Sequence, residues 1–265
     1  MLEVSFILVF IVLLAAAVTD IKRREVPDWL SYSFIAAALA IAMAKSIVLE
    51  DYSPVLNSLS GLAVFFIIAC IFYYGKLFAG GDAKLLIGTG AALGIDYSFL
   101  ANLILAGGVY GMAYAFVLAA INLKKVSAEI RRMKMPLILP LLAIAVVLAL
   151  AGLISEFSAF YFLAVLAGLT PALYYSTLAV EKIALIKSVS PDNLTEGDWL
   201  LRDVEIGRTV IKANFEGLSK KDIQLIKKAK KNVMIKYGLP FVPVFLIAFI
   251  AELALGNLLL IILGF

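Results

Sequence analysis

Long apolar runs recur along nearly the whole chain, and they constrain the fold more than any other feature. About eight can be drawn, over residues 2–19, 29–48, 56–75, 83–95, 98–121, 136–154, 158–180 and 239–264. Most hold roughly 18 residues or more, enough helix to cross a bilayer core of about 30 Å. In hydrocarbon every backbone N–H and C=O must be satisfied internally, so runs of this kind span as helices. The expected fold is an all-α polytopic membrane protein with about eight transmembrane helices. The fourth run is short, with about 13 residues after Asp82, and a count of six or seven is also compatible. Composition agrees: 63% of the residues are hydrophobic, against about 45–50% in soluble domains.

One stretch is polar enough to fold in water. The expected organisation is a membrane helix bundle over 1–180, a small α+β domain over 181–237 and a last transmembrane helix over 238–265. Within 181–237, Ser190-Pro191-Asp192-Asn193 is a turn signal. Trp199-Leu200-Leu201 and Thr209-Val210-Ile211 read as short strands around a turn at Gly207. A Lys-rich helix is expected from Leu218-Ser219 to about Lys236, with Ser219 and Asp222 as a capping box. Its basic face either lies on anionic lipid or contacts a substrate or partner.

Charge sets the expected orientation. Lys22, Arg23, Arg24, Lys76, Lys84, Lys124, Lys125, Arg131, Arg132 and Lys134 collect on one side, together with 181–237. Glu50, Asp51, Asp96 and Glu156 fall on the other. Lys45 is the exception, near a helix end where it can snorkel. The positive-inside rule then puts the N-terminus outside, and Asp20, Asp82 and the polar domain in the cytoplasm. The first run leads into Asp20, Lys22, Arg23 and Arg24 with no small-residue cleavage pattern, so it is expected to stay as a helix.

The chain has no histidine. That excludes His-based triads, His general bases and most zinc or haem sites. The one cysteine, Cys70, lies inside an apolar run and reads as a packing residue. No metal, cofactor or nucleic-acid partner is expected; the bilayer is. Carboxylate, Ser/Thr, Lys or Tyr chemistry remains. Asp20 closes the first run and Asp82 opens the fourth, at the same membrane face. Carboxylates at membrane depth are costly and are functional candidates by default. Two of them about 3 Å apart share a proton. One then deprotonates a water while the other hydrogen-bonds a carbonyl oxygen, as in aspartic proteases. On position alone the blander reading, two aspartates solvated at helix ends, is the stronger. The surrounding residues alter that balance.

Asp82 stands in Phe78-Ala79-Gly80-Gly81-Asp82-Ala83-Lys84-Leu85-Leu86. Paired glycines before it leave open backbone that a peptide strand can approach, although a plain helix start fits as well. Asp20 stands in Thr19-Asp20-Ile21-Lys22-Arg23-Arg24-Glu25-Val26-Pro27-Asp28-Trp29, where Pro27 and Asp28 introduce the next helix. Both stretches resemble the type IV prepilin peptidases, most closely the archaeal preflagellin/prepilin peptidases, which are GxGD aspartic proteases of the membrane. The first motif is matched by Asp20 through Asp28, the second by Gly81, Asp82, Lys84 and Leu85, about 60 residues apart. Tyr237 through Val242 and Pro243 is similar to the start of the last membrane segment in archaeal members. Ala79 replaces the first glycine of GxGD, Asp28 replaces a commoner Asn, and the Cys-x-x-Cys sets of many bacterial members are absent.

The resemblance implies that Asp20 and Asp82 are the catalytic pair, with Gly80, Gly81, Lys84, Lys22, Arg24 and Pro27 as supporting motif residues. It implies an endopeptidase without methyl transfer. The substrate would be a pilin-like or archaellin-like precursor, cut behind a short basic leader at the cytoplasmic membrane face. Two rivals from other classes use the same residues: a proton- or ion-coupled transporter, and a non-catalytic scaffold at a pilus or archaellum base. Lys84 either supports Asp82 or meets lipid phosphate. Gly90 and Gly94, like Gly107 and Gly111, have the spacing of close helix packing. Glu252, deep in the last run, is expected to hydrogen-bond another helix.

Overall fold

The computed structural model describes residues 2–155, 158–207, 209–214 and 217–263. Glu156, placed above on the acidic side, lies outside them. The chain runs α1 (Leu2–Arg23), α2 (Asp28–Leu49), α3 (Ser53–Tyr74), α4 (Gly80–Leu93), α5 (Tyr97–Ile121), α6 (Leu123–Arg132), α7 (Ile138–Ser155) and α8 (Ser158–Val180). A π-helical turn and β1 (Ile186–Val189) follow, then β2 (Trp199–Leu200), β3 (Val204–Ile206), β4 (Thr209–Ile211), α9 (Lys220–Lys228), β5 (Val233–Lys236), α10 (Val242–Leu255) and α11 (Leu258–Leu263). Among the described residues six helices are long and apolar enough to cross a membrane, namely α1, α2, α3, α5, α7 and α8. Two further apolar runs fold as helices of 14 residues, α4 and α10. At 1.5 Å per residue each is about 21 Å long, shorter than a bilayer core.

Two compact units form, Met1–Gly111 with Gly238–Phe265, and Met112–Tyr237. In the first, α4 is the central helix, packed by α1, α2 and α3, while α1 also packs on α10. It buries Asp82, Ala83, Leu85, Leu86, Gly88, Thr89, Gly90 and Ala91, and so is covered nearly all round. Small residues permit this. A Cβ at Gly61 of α3 would run into the backbones of Gly90 and Gly94, and one at Gly88 into the Phe34 ring. Gly90 and Gly94 therefore serve packing within the bundle. A Cβ at Gly107 would lie 3.0 Å from the Phe241 ring, whereas one at Gly111 would have open space. Phe34, Phe65, Phe99, Phe245 and Phe249 fill the core around α4.

The last apolar run is interrupted at Gly256 (φ 76°). Fully buried Asn102 of α5 bridges the break: its amide donates to the Gly256 carbonyl at 2.9 Å and accepts from the Leu258 N–H at 2.9 Å. Nearby, the Glu252 side chain meets Asp96, ahead of α5. The expected partner is on another helix; the residue met is the loop residue that precedes one.

In the second unit α8 packs on α7 and α6. The basic loop of the sequence reading is thus partly helical. The polar segment forms an antiparallel sheet of order β1-β5-β2 and a β3-β4 hairpin turning at Gly207. Val189, Leu200, Ile226, Val233 and Ile235 form its core. The capping box is present: Ser219 Oγ accepts from the Asp222 N–H at 3.3 Å, and the Asp222 carboxylate accepts from the Ser219 N–H at 3.0 Å.

Two expectations are corrected. The Lys-rich helix stops at Lys228 instead of reaching Lys236. Val233 and Ile235 alternate with Met234 and Lys236, bury inward and pair with β1 and β2, so a period of two prevails over helix propensity. Trp199–Leu200 pairs with β5, and the partner of Thr209–Ile211 is Val204–Ile206.

Candidate active site

The last turn of α1 carries Asp20, and the first turn of α4 carries Asp82. Both are buried, at 7% and 8% exposure. The two side chains are near enough for the charge of Asp20 to act on Asp82. Two distant apolar runs therefore deliver carboxyl groups to one place, where α1 packs against both α4 and α10. Four residues ahead of Asp82, Phe78 packs against Phe241 and Phe245 with tilted rings, at centroid separations of 5.4 and 5.7 Å.

Each carboxyl group is held by a backbone N–H at a helix start. Asp82 Oδ2 accepts from the Ala79 N–H at 3.0 Å, the reach-back half of a capping box. Ala79 has no side-chain oxygen with which to complete it. Asp20 Oδ2 accepts from the Val242 N–H at 2.9 Å, and Val242 is the first residue of α10. The first N–H groups of a helix lack intrahelical partners and form the positive end of its dipole. An acidic side chain is stabilised in either place without a metal. Among the described residues no group of three or more His, Cys, Asp or Glu is placed to hold one.

The supporting motif residues separate by position. Arg24 ends α1 in the left-handed region, at φ 57°. Its N–H closes back on the Asp20 carbonyl at 2.8 Å, its guanidinium donates to the Gly238 carbonyl at 2.8 Å, and its charge acts on Asp20. Pro27 is the residue before α2, and its carbonyl accepts from the Leu30 N–H at 3.0 Å. Lys22 is exposed in the last turn of α1. Lys84 pairs with Asp28 and stands 5.3 Å from the Tyr32 ring centroid, so it ties α4 to α2. Gly81 is not open backbone: Val26 occupies its Cβ direction, with Val26 Cβ at 3.1 Å. Gly80 is the open glycine, with only the Tyr73 ring at 3.9 Å. The part taken by Val242 has no side-chain signature. The flanking Pro240 and Pro243 are the one sequence trace of a helix start there.

Comparison with known proteins bears on this same region. Residues 7–125 match the type IV leader peptidase family. The preflagellin peptidase of Methanococcus maripaludis (strain C6) is 34% identical over 88 residues, covering 33% of this chain and 38% of that protein. The preflagellin peptidase of Methanococcus voltae is 30% identical over 81 residues, covering 31% and 34%. The chain thus spans about a third of the length of the curated relatives it matches. The matched stretch, residues 7–125, includes Asp20, Asp82 and the motif residues around both, so the similarity to the type IV leader peptidase family falls on the candidate site.

Proposed function

We propose that the chain is a membrane aspartic endopeptidase of GxGD type. It removes the short basic leader from pilin-like or archaellin-like precursors at the cytoplasmic membrane face. The observation that carries this reading is two buried carboxyl groups from α1 and α4, within electrostatic range of each other, each bound by a helix-start N–H. The family match over residues 7–125 and the two preflagellin peptidase relatives support it.

The chemistry follows from sharing one proton between two acids. The ionised carboxylate takes a proton from a water, and the resulting hydroxide bonds to the scissile carbonyl carbon. The protonated partner hydrogen-bonds the carbonyl oxygen and gives it a proton as the tetrahedral intermediate forms. Collapse breaks the C–N bond as the acid that took the water's proton gives it to the leaving nitrogen, while the partner carboxylate takes a proton back from the intermediate's hydroxyl, which restores the shared proton. The two aspartates titrate as a pair, so their roles are those of a dyad. The open edge at Gly80 admits an extended substrate backbone beside Asp82. Asp20, Asp82 and residues 181–237 face the cytoplasm in this reading, with the N-terminus outside.

The test is cleavage of a model precursor, with a basic leader, a Gly site and an apolar helix, read by mass spectrometry. Asp20→Asn and Asp82→Asn each lower the rate by about 100-fold or more, the scale of a lost acid or base. Both still insert in the membrane. A variant that cuts at the unaltered rate removes its aspartate from the mechanism.

A further inference from the structure

The start of α10 does more than follow the second unit in the chain. Its first N–H, from Val242, reaches buried Asp20 at 2.9 Å. The next residue, Pro243, has no N–H, and the Val244 N–H is engaged by the Phe241 carbonyl at 2.9 Å. Of the first three residues of α10, Val242 alone directs a backbone donor at the carboxylate, joined by the weaker contact of the Phe241 N–H just ahead of the helix. The segment that presents it is held in turn. Gly238 accepts from Arg24, four residues beyond Asp20 on the same chain turn, and Phe241 is clasped by Phe78 and Phe245. Residues 238–242 and the end of α1 are therefore joined at two points, with the carboxyl group between them.

We propose that the Val242 backbone N–H is the positioning group of Asp20. It fixes the orientation of the carboxylate toward Asp82, and the Arg24–Gly238 bond holds the strap that presents it. This inference rests on the endopeptidase reading above. A carboxylate on a flexible side chain gains its reactive geometry only when its rotamers are locked, and a charge-assisted hydrogen bond from a rigid helix start does that. Losing it lowers kcat while leaving substrate binding alone, because the bond is to the enzyme's own acid and not to substrate.

The clean probe replaces the amide at Val242 by an ester in the full-length protein, deleting one N–H and no side chain. The control is the same replacement at Val244, which weakens the same turn of α10 but spares the Asp20 donor. The expected result is a kcat about 10- to 100-fold below wild type for the Val242 ester, the span of a hydrogen bond to a charged group. Its KM stays within about twofold, and the Val244 ester keeps most of its kcat. A Val242 ester with wild-type kcat, or equal losses in both esters, overturns the positioning role while the peptidase stands. Wild-type protein that leaves the precursor uncut, alongside equally inert Asp20→Asn and Asp82→Asn, overturns both.

Discussion

Ala79 stands where the resembled motif has its first glycine, and its backbone accounts for the side chain. Its φ of −75° and ψ of 166° are extended geometry that any residue adopts, and its contribution to Asp82 is the main-chain N–H. Ala79→Gly is therefore expected to leave precursor cleavage within about twofold of wild type and to raise stability by about 0.5 kcal/mol, since Gly ranks well above Ala at a helix N-cap. Ala79→Ser adds the oxygen that completes the capping box with the Asp82 N–H. It should raise the thermal midpoint by an amount equivalent to about 0.5–1 kcal/mol in detergent. A lower midpoint for Ala79→Ser would mean that the N–H of Asp82 is committed elsewhere. The aspartates were legible because acidic residues at the ends of apolar runs stand out against their surroundings. The groups that hold them were not, because Ala79 and Val242 act through backbone atoms. Gly81 misled for a related reason: a glycine announces space, and only the fold shows that Val26 has taken it.

The contact that centres α4 is the crossing with α3. Gly61 faces the Gly90 carbonyl and the Gly94 backbone, and neither can swing aside as a side chain would. Gly61→Ala must push the two helices apart, and overpacking of this sort costs about 1–3 kcal/mol. The expected outcome is a lower thermal midpoint, with cleavage lost in proportion because Asp82 is carried by the displaced helix. An unaltered midpoint would contradict the crossing. Lys84 and Asp28 join α4 to α2 across a largely exposed pair, at 29% and 66%. A double-mutant cycle with Lys84→Ala and Asp28→Ala should return a coupling of about 0.2–1 kcal/mol, shrinking with salt. At this scale helix starts were more legible than helix ends. Pro27-Asp28 and Ser219-Asp222 mark α2 and α9 correctly because caps are local chemistry. The end of α9 and the break at Gly256 depend on distant partners, strands β1 and β2 in one case and Asn102 in the other.

Across the whole molecule, the short helix α4 decides which side the later segments face. Each crossing reverses the side on which the chain emerges, so the six crossings α2, α3, α4, α5, α7 and α8 return residues 181–237 to the side of Lys22. If α4 enters and leaves by the same face, every later loop changes sides. The cluster Lys124, Lys125, Arg131 and Arg132 would then lie opposite Lys22, against the positive-inside rule. At about 21 Å, α4 needs a locally thinned bilayer or sunken ends to cross. Its burial by α1, α2 and α3 allows this, because neighbouring helices and not lipid cover most of its length between Asp82 and Ala91. Single cysteines in a Cys70→Ala background report the outcome. Exposed Lys22, Lys76 and Lys212, each replaced by Cys, should react with an impermeant maleimide only when the cytoplasmic face is opened, and Tyr52→Cys should react in intact cells. Lys22 and Lys212 on opposite sides would show that α4 does not cross. It would also separate the polar segment from the face at which the aspartate pair is proposed to cut, while Lys22 and Lys76 on opposite sides would remove the shared site itself.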